Sequence, residues 1–110
     1  MSFRLANYSF MGRHPVNKVD QVRNWPGLYA ILCRRGNRHY LVDVAEADDL
    51  KSELEKNGRR DLWEENCSGS LIITLKYTME MERAERMRIE RKIRTRHNPP
   101  CRKRSKPANV

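Results

Sequence analysis

Leu28-Tyr29-Ala30-Ile31-Leu32-Cys33 is an unbroken apolar run, introduced by Trp25-Pro26-Gly27 and followed by Arg34-Arg35-Gly36-Asn37-Arg38. The run contains β-formers and reads as a buried strand, with the Pro-Gly pair marking the turn that starts it. The polar segment holding Gly36-Asn37 then leads into His39-Tyr40-Leu41-Val42-Asp43-Val44. Two apolar runs joined in this way predict a β-hairpin.

Beyond the hairpin the period changes. Ala47, Leu50 and Leu54 stand three and four apart, so a helix is expected over Ala45 to Lys56. Acidic Glu46, Asp48 and Asp49 would then occupy its first turn, and Asn57-Gly58 would stop it. A shorter helix fits Arg60 to Asn66, with Leu62 and Trp63 on its apolar side, and Cys67-Ser68-Gly69 ends it. Ser70 to Tyr77 is apolar and β-branched, a third strand. Met79 to about Arg96 contains no Gly or Pro and is built from good helix formers. On such a helix Arg86, Ile89, Glu90 and Ile93 fall on one face, so charged groups share the apolar stripe. Asn98-Pro99-Pro100 breaks the helix.

Residues 1–24 show no sustained period. Phe3-Arg4-Leu5 and Tyr8-Ser9-Phe10 alternate like short edge strands, but the segment as a whole reads as an extended arm carrying aromatics, with one helical turn near Val19 to Arg23. The expected architecture is α+β, in the order strand, strand, helix, helix, strand, helix. It predicts a small three-stranded sheet, mixed or antiparallel, flanked by helices. The arm (1–24), the domain (25–101) and a short basic tail (102–110), expected to be disordered without a partner, make up the chain.

The chain has 110 residues, enough for one modest core. Twenty-three Lys and Arg against fourteen Asp and Glu give a net charge of +9. From Arg91 onward there are eight basic residues and no acidic one. Such a surplus favours polyanions, nucleic acid first among them. No apolar run reaches membrane-spanning length and the N-terminus lacks a secretory signal's apolar core, so a cytoplasmic protein is expected. On that basis Cys33, Cys67 and Cys101, which form no CxxC pair, read as reduced thiols, two of them buried. A zinc site from Cys67, Cys101 and His97 has neither a known spacing nor an evident fourth ligand. No Ser/His/Asp or Cys/His constellation and no phosphate-cradling glycine loop is present. Trp25 and Trp63 read as packing aromatics.

The order of elements, with Gly27-Leu28-Tyr29, Asp49-Leu50-Lys51, Glu90 within Arg86-Met87-Arg88-Ile89-Glu90, and Asn98-Pro99-Pro100-Cys101, resembles the GIY-YIG endonuclease superfamily from Trp25 to Cys101. The resemblance implies a DNA-cleaving domain in which Tyr29 helps position or deprotonate the attacking water. Glu90 would bind one divalent cation, Mg2+ or Mn2+, through oxygen. Counted back from Leu50 without a gap, Asp43-Val44-Ala45 falls on the second motif, so that Ala45 replaces its glycine. The catalytic arginine of the family falls on Glu53, and a frequent histidine on Asn57. An alternative register takes Tyr40-Leu41-Val42 as that motif and requires an insertion of about three residues before the helix.

Hydrolysis of a phosphodiester needs positive groups to meet developing negative charge. A glutamate in place of the arginine opposes it; two unit charges about 4 Å apart interact by about 4 kcal/mol near a protein surface. Lys51, Arg59 or Arg60 would have to substitute, and Asp43 and Glu46 could add metal ligands in a rearranged site. Glu90 could alternatively pair with Arg86 one turn earlier. The sequence therefore points to a nucleic-acid-binding domain, DNA before RNA, with weak or lost phosphodiesterase activity. Candidate contacts are Lys51, Arg59, Arg60, Arg86, Arg91, Arg94, Arg102, Lys103 and Arg104. An active metal-dependent endonuclease and a protein-interaction domain are the alternatives.

Overall fold

The computed structural model describes residues 2–56 and 58–101. Its strands are β1 (Ser2–Leu5), β2 (Tyr8–Pro15), β3 (Gly27–Arg35), β4 (Arg38–Ala47) and β5 (Ser70–Tyr77). Its helices are α1 (Leu50–Lys56), α2 (Arg60–Glu65) and α3 (Arg83–His97), with a single 3-10 turn at Val19–Gln21. The strands form one sheet in the order β1-β2-β5-β3-β4, and every pairing is antiparallel.

The α+β class and the β3–β4 hairpin agree with expectation, and Gly36 takes the positive φ, +60°, that its tight turn requires. β3 lies between β4 and β5 and is covered on both faces, which is why it reads as a continuous apolar run. Tyr29, Ile31 and Cys33 face a core shared with Leu50, Leu54 and Trp63 of α1 and α2. Leu28, Ala30 and Leu32 face a second core with Phe10, Ile89 and Ile93. The turn before β3 gathers the rest: the Leu50 N–H donates to the Trp25 carbonyl and the Thr78 N–H to the Pro26 carbonyl.

The sheet has five strands, not three. The additional pair is the β1–β2 hairpin, which the sequence reading treated as an arm, and β2 pairs directly with β5. Its pattern was hidden because Phe10 is the single buried residue of β2. Gly12, at φ +89°, sits within a register shift between Met11 and His14, and Pro15 ends the strand.

Two helix starts also differ from expectation. β4 continues to Ala47, pairing Ala45 with Tyr29 and Ala47 with Gly27, and α1 begins only at Leu50. Asp49 precedes the helix as its cap, accepting from the Ser52 N–H at 3.1 Å, while Glu46 belongs to the strand. α3 begins at Arg83 instead of Met79, because Thr78 closes a turn by accepting from the Met81 N–H. It ends as expected, with Asn98 in the left-handed region.

The cysteines are corrected as well. Cys33 and Cys67 form a disulfide, with Cα atoms 5.5 Å apart, and Cys101 is the buried free thiol. A zinc site drawing on Cys67 is thereby excluded. Among the described residues no helix is long and apolar enough to cross a membrane.

Candidate functional site

β4 is an edge strand, and its outward-facing backbone groups would be unsatisfied without help. Three successive alternate residues are met by groups from α3 and the segment after it. The Val42 carbonyl accepts from the Cys101 N–H at 3.1 Å, the Val44 carbonyl accepts from Arg94 Nη2, and the Glu46 N–H donates to Glu90 Oε1 at 3.1 Å. Glu90 and Arg94 thus seal the sheet edge.

The seal is tied together by Asp43, which is fully buried. A register shift between Ile31 and Leu32 places an extra residue in β4 and turns Asp43 toward α2. Its Oδ2 accepts from Trp63 Nε1 at 2.8 Å and Arg59 Nε at 2.9 Å. Its Oδ1 accepts from Arg94 Nη2 at 3.0 Å and from the Val44 N–H at 2.9 Å. Arg94 also donates to Glu90 Oε2 at 3.0 Å and to the Cys101 carbonyl at 2.8 Å. In the sequence Asp43 was considered as the residue on the second motif's tyrosine position and as an accessory metal ligand. The signal that marks it is a lone carboxylate inside an apolar strand, which requires buried cations.

Further along, Glu46 accepts from Arg83 Nε at 3.3 Å and Arg86 Nε at 3.1 Å, and Arg86 also bonds Asp48. This accounts for the charged pair on the apolar stripe of α3. Arg86 and Glu90 are both buried, but they do not pair with each other: Arg86 serves the end of β4, and Glu90 pairs forward with Arg94. Glutamate before arginine at this spacing is the better orientation for a helical pair.

A cleft of about 570 Å³ opens beside this network, between α1, the end of β4 and α3. Tyr29, Ala45, Glu53 and Glu90 all line it, so the gapless register brings its four key positions to one place. Tyr40 does not. Its hydroxyl donates to the Asn66 carbonyl at 3.4 Å, away from the cleft. Tyr29 is fully buried and packs edge-on against Trp63, ring centroids 6.0 Å apart.

The electrostatics of the cleft are unlike those of a phosphate site. Glu46, Asp48, Asp49, Glu53 and Glu90 supply carboxylates, and the cations facing them are Lys56, Arg59, Arg83 and Arg94. The three guanidiniums already serve Asp43, Glu46 and Glu90. The Asn24 amide bonds Asp49 at 2.9 Å and, with the Ser52 N–H, holds its carboxyl below the ordinary 3.8. Burial pushes the Cys101 thiol up, which keeps it protonated and a poor nucleophile.

The donors present do not fit a divalent cation. Both oxygens of Glu90 are engaged, and no group of three or more His, Cys, Asp or Glu among the described residues is arranged to hold a metal. No family model matches this chain, nor does any curated protein or solved structure.

The basic residues divide into three sets. Arg59, Arg86 and Arg94 are drawn inward to carboxylates. Arg60 is exposed and donates to the Val16 carbonyl, Lys51 is half-buried on α1, and Arg91 is exposed on α3. Arg102, Lys103 and Arg104, like Asn57, lie outside the described residues.

Proposed function

We propose that this chain is a divergent GIY-YIG-like domain that binds nucleic acid, DNA in preference to RNA, with weak or lost phosphodiesterase activity. The observation that carries the weak or lost activity is the cleft itself. The position expected to hold a catalytic arginine holds Glu53, and the carboxylate expected to bind metal is bonded through both oxygens to Arg94 and the Glu46 N–H. A phosphate entering there meets carboxylates whose partner arginines are already engaged, so transition-state charge finds little new stabilisation. The net charge of +9 supports binding without supplying chemistry.

Retention of Tyr29 and Glu90 around one cleft supports an active endonuclease as the second reading. Nicking of supercoiled plasmid with Mg2+ or Mn2+, comparing the native protein with Glu90→Ala and Glu53→Arg, separates the two. The proposal expects intact plasmid from the native chain. Native nicking that Glu90→Ala abolishes would replace it with the second reading.

A further inference from the structure

We propose that nucleic acid lies across the outer face of α3, away from the cleft, with one phosphodiester strand seated in the groove between α3 and the β1–β2 turn. The proposal rests on the nucleic-acid-binding reading and assigns the surface responsible.

At 100° per residue, the four inward residues of α3, Arg86, Ile89, Glu90 and Ile93, leave Arg88, Arg91 and Thr95 on the opposite side, with Lys92 and Arg96 on the flank next to Ile89. All five are exposed. From Arg86 to Cys101 the one carboxylate in the sequence is Glu90, and it is buried against Arg94. From Arg88 to the end of the helix the outer face is therefore cationic, with the exposed Glu85 confined to the first turn. Arg88 and Arg96 are separated by about 12 Å of helix, which is about three phosphate steps of one strand along a duplex axis.

The groove gives this face a second wall. Ala6 and Asn7 turn the β1–β2 hairpin with φ of 50° and 71°, and the Ala6 N–H donates to His97 Nε2 at 3.1 Å, holding the turn against the end of α3. Between them is a concavity of about 460 Å³ lined by Ala6, Asn7, Tyr8, Lys92, Thr95 and Arg96, none of them acidic. The Lys76 ammonium lies 5.9 Å from the Tyr8 ring centroid and adds positive charge on the hairpin side. Two lysine or arginine side chains, a hydroxyl and an amide on opposed walls suit phosphate oxygens. The cleft, with its five carboxylates, does not.

A membrane surface fits less well. Among the described residues the exposed large apolar side chains are Met11, Tyr40, Leu62 and Met79, none of them on α3, so the helix has no apolar anchor to insert.

The test measures fluorescence anisotropy of a mixed-sequence duplex with the full chain over a range of salt. Lys92→Glu/Arg96→Glu is compared with Arg35→Glu/Arg38→Glu, which changes net charge equally on the exposed β3–β4 turn. The first variant should weaken binding about tenfold or more and lower the salt slope by about 1.8, two phosphate contacts at about 0.9 each. The second should leave the slope unchanged. Equal losses in both, or none in the first, overturn the placement while leaving nucleic-acid binding intact. No duplex binding by the native chain overturns both. Native binding to phosphatidylserine vesicles without duplex binding assigns the face to lipid and also overturns the proposal. If the double reversal fails to fold, Lys92→Gln/Arg96→Gln is read by the same criteria with the change in slope unaltered.

Discussion

Replacing Asp43 by asparagine removes the charge on which two helices converge. Four donors fill its oxygens at 2.8–3.0 Å: Trp63 Nε1, Arg59 Nε, Arg94 Nη2 and the Val44 N–H. Asparagine keeps one acceptor oxygen and turns two N–H donors toward groups that are themselves donors. The guanidinium side chains of Arg59 and Arg94, only 11% and 16% exposed, are left without this counter-charge. Breaking a buried ion pair by removing one partner costs about 3–5 kcal/mol. That is a large part of the roughly 5–15 kcal/mol that holds a domain together. At about 4 °C or more per kcal/mol for a domain of this size, the melting midpoint should fall by at least about 12 °C. The assay is thermal and urea unfolding followed by circular dichroism, native and variant both with the disulfide intact. A loss below about 1 kcal/mol, the range of a surface pair, would refute the assignment of Asp43 as the hub of the sheet edge.

Three further outcomes follow from other parts of the fold. The disulfide closes a loop of 34 residues, for which chain-entropy reasoning gives about 3–4 kcal/mol; reduction should lower the midpoint accordingly, and an unchanged melt would contradict the pairing. A Cβ at Gly27 would lie 2.2 Å from the Lys76 carbonyl oxygen and 3.0 Å from Tyr77 Cα, so Gly27→Ala should cost about 3 kcal/mol by forcing β3 and β5 apart, and a stability within about 0.5 kcal/mol of native would contradict that contact. Asp49 has a depressed carboxyl, so its contribution is present at neutral pH and lost as pH falls through the folded value below 3.8. Asn24→Ala should move its titration up toward 3.8 in a carbon-detected NMR experiment, and an unmoved titration would remove Asn24 as the cause.

The middle of the fold was legible because it is buried. β3 and β5 are apolar enough to identify themselves, and the Gly36-Asn37 turn fixes β4 as the hairpin partner of β3. The β1–β2 hairpin was not, because a strand with one buried side chain, a bulge and a terminal proline carries almost no periodic signal. Ala45-Glu46-Ala47 suits helix and strand alike, and only its pairing with β3 makes it strand. At the site, the sequence located Tyr29, Glu53 and Glu90 but not what Glu90 touches. Its partners come from β4, 44 residues earlier, and from Arg94, one turn later. Arg59, Arg86 and Arg94 counted as phosphate contacts for the same reason: charge is visible in a sequence, whereas the carboxylate that claims it is not.

The most direct test of nucleic-acid binding is the affinity of the native chain for a mixed-sequence duplex, measured from low to high salt. The account predicts a logarithm of the binding constant that falls linearly and steeply with the logarithm of salt concentration, as counterions are released from contacted phosphates. Affinity that is indifferent to salt, or no binding at the lowest salt, would contradict it.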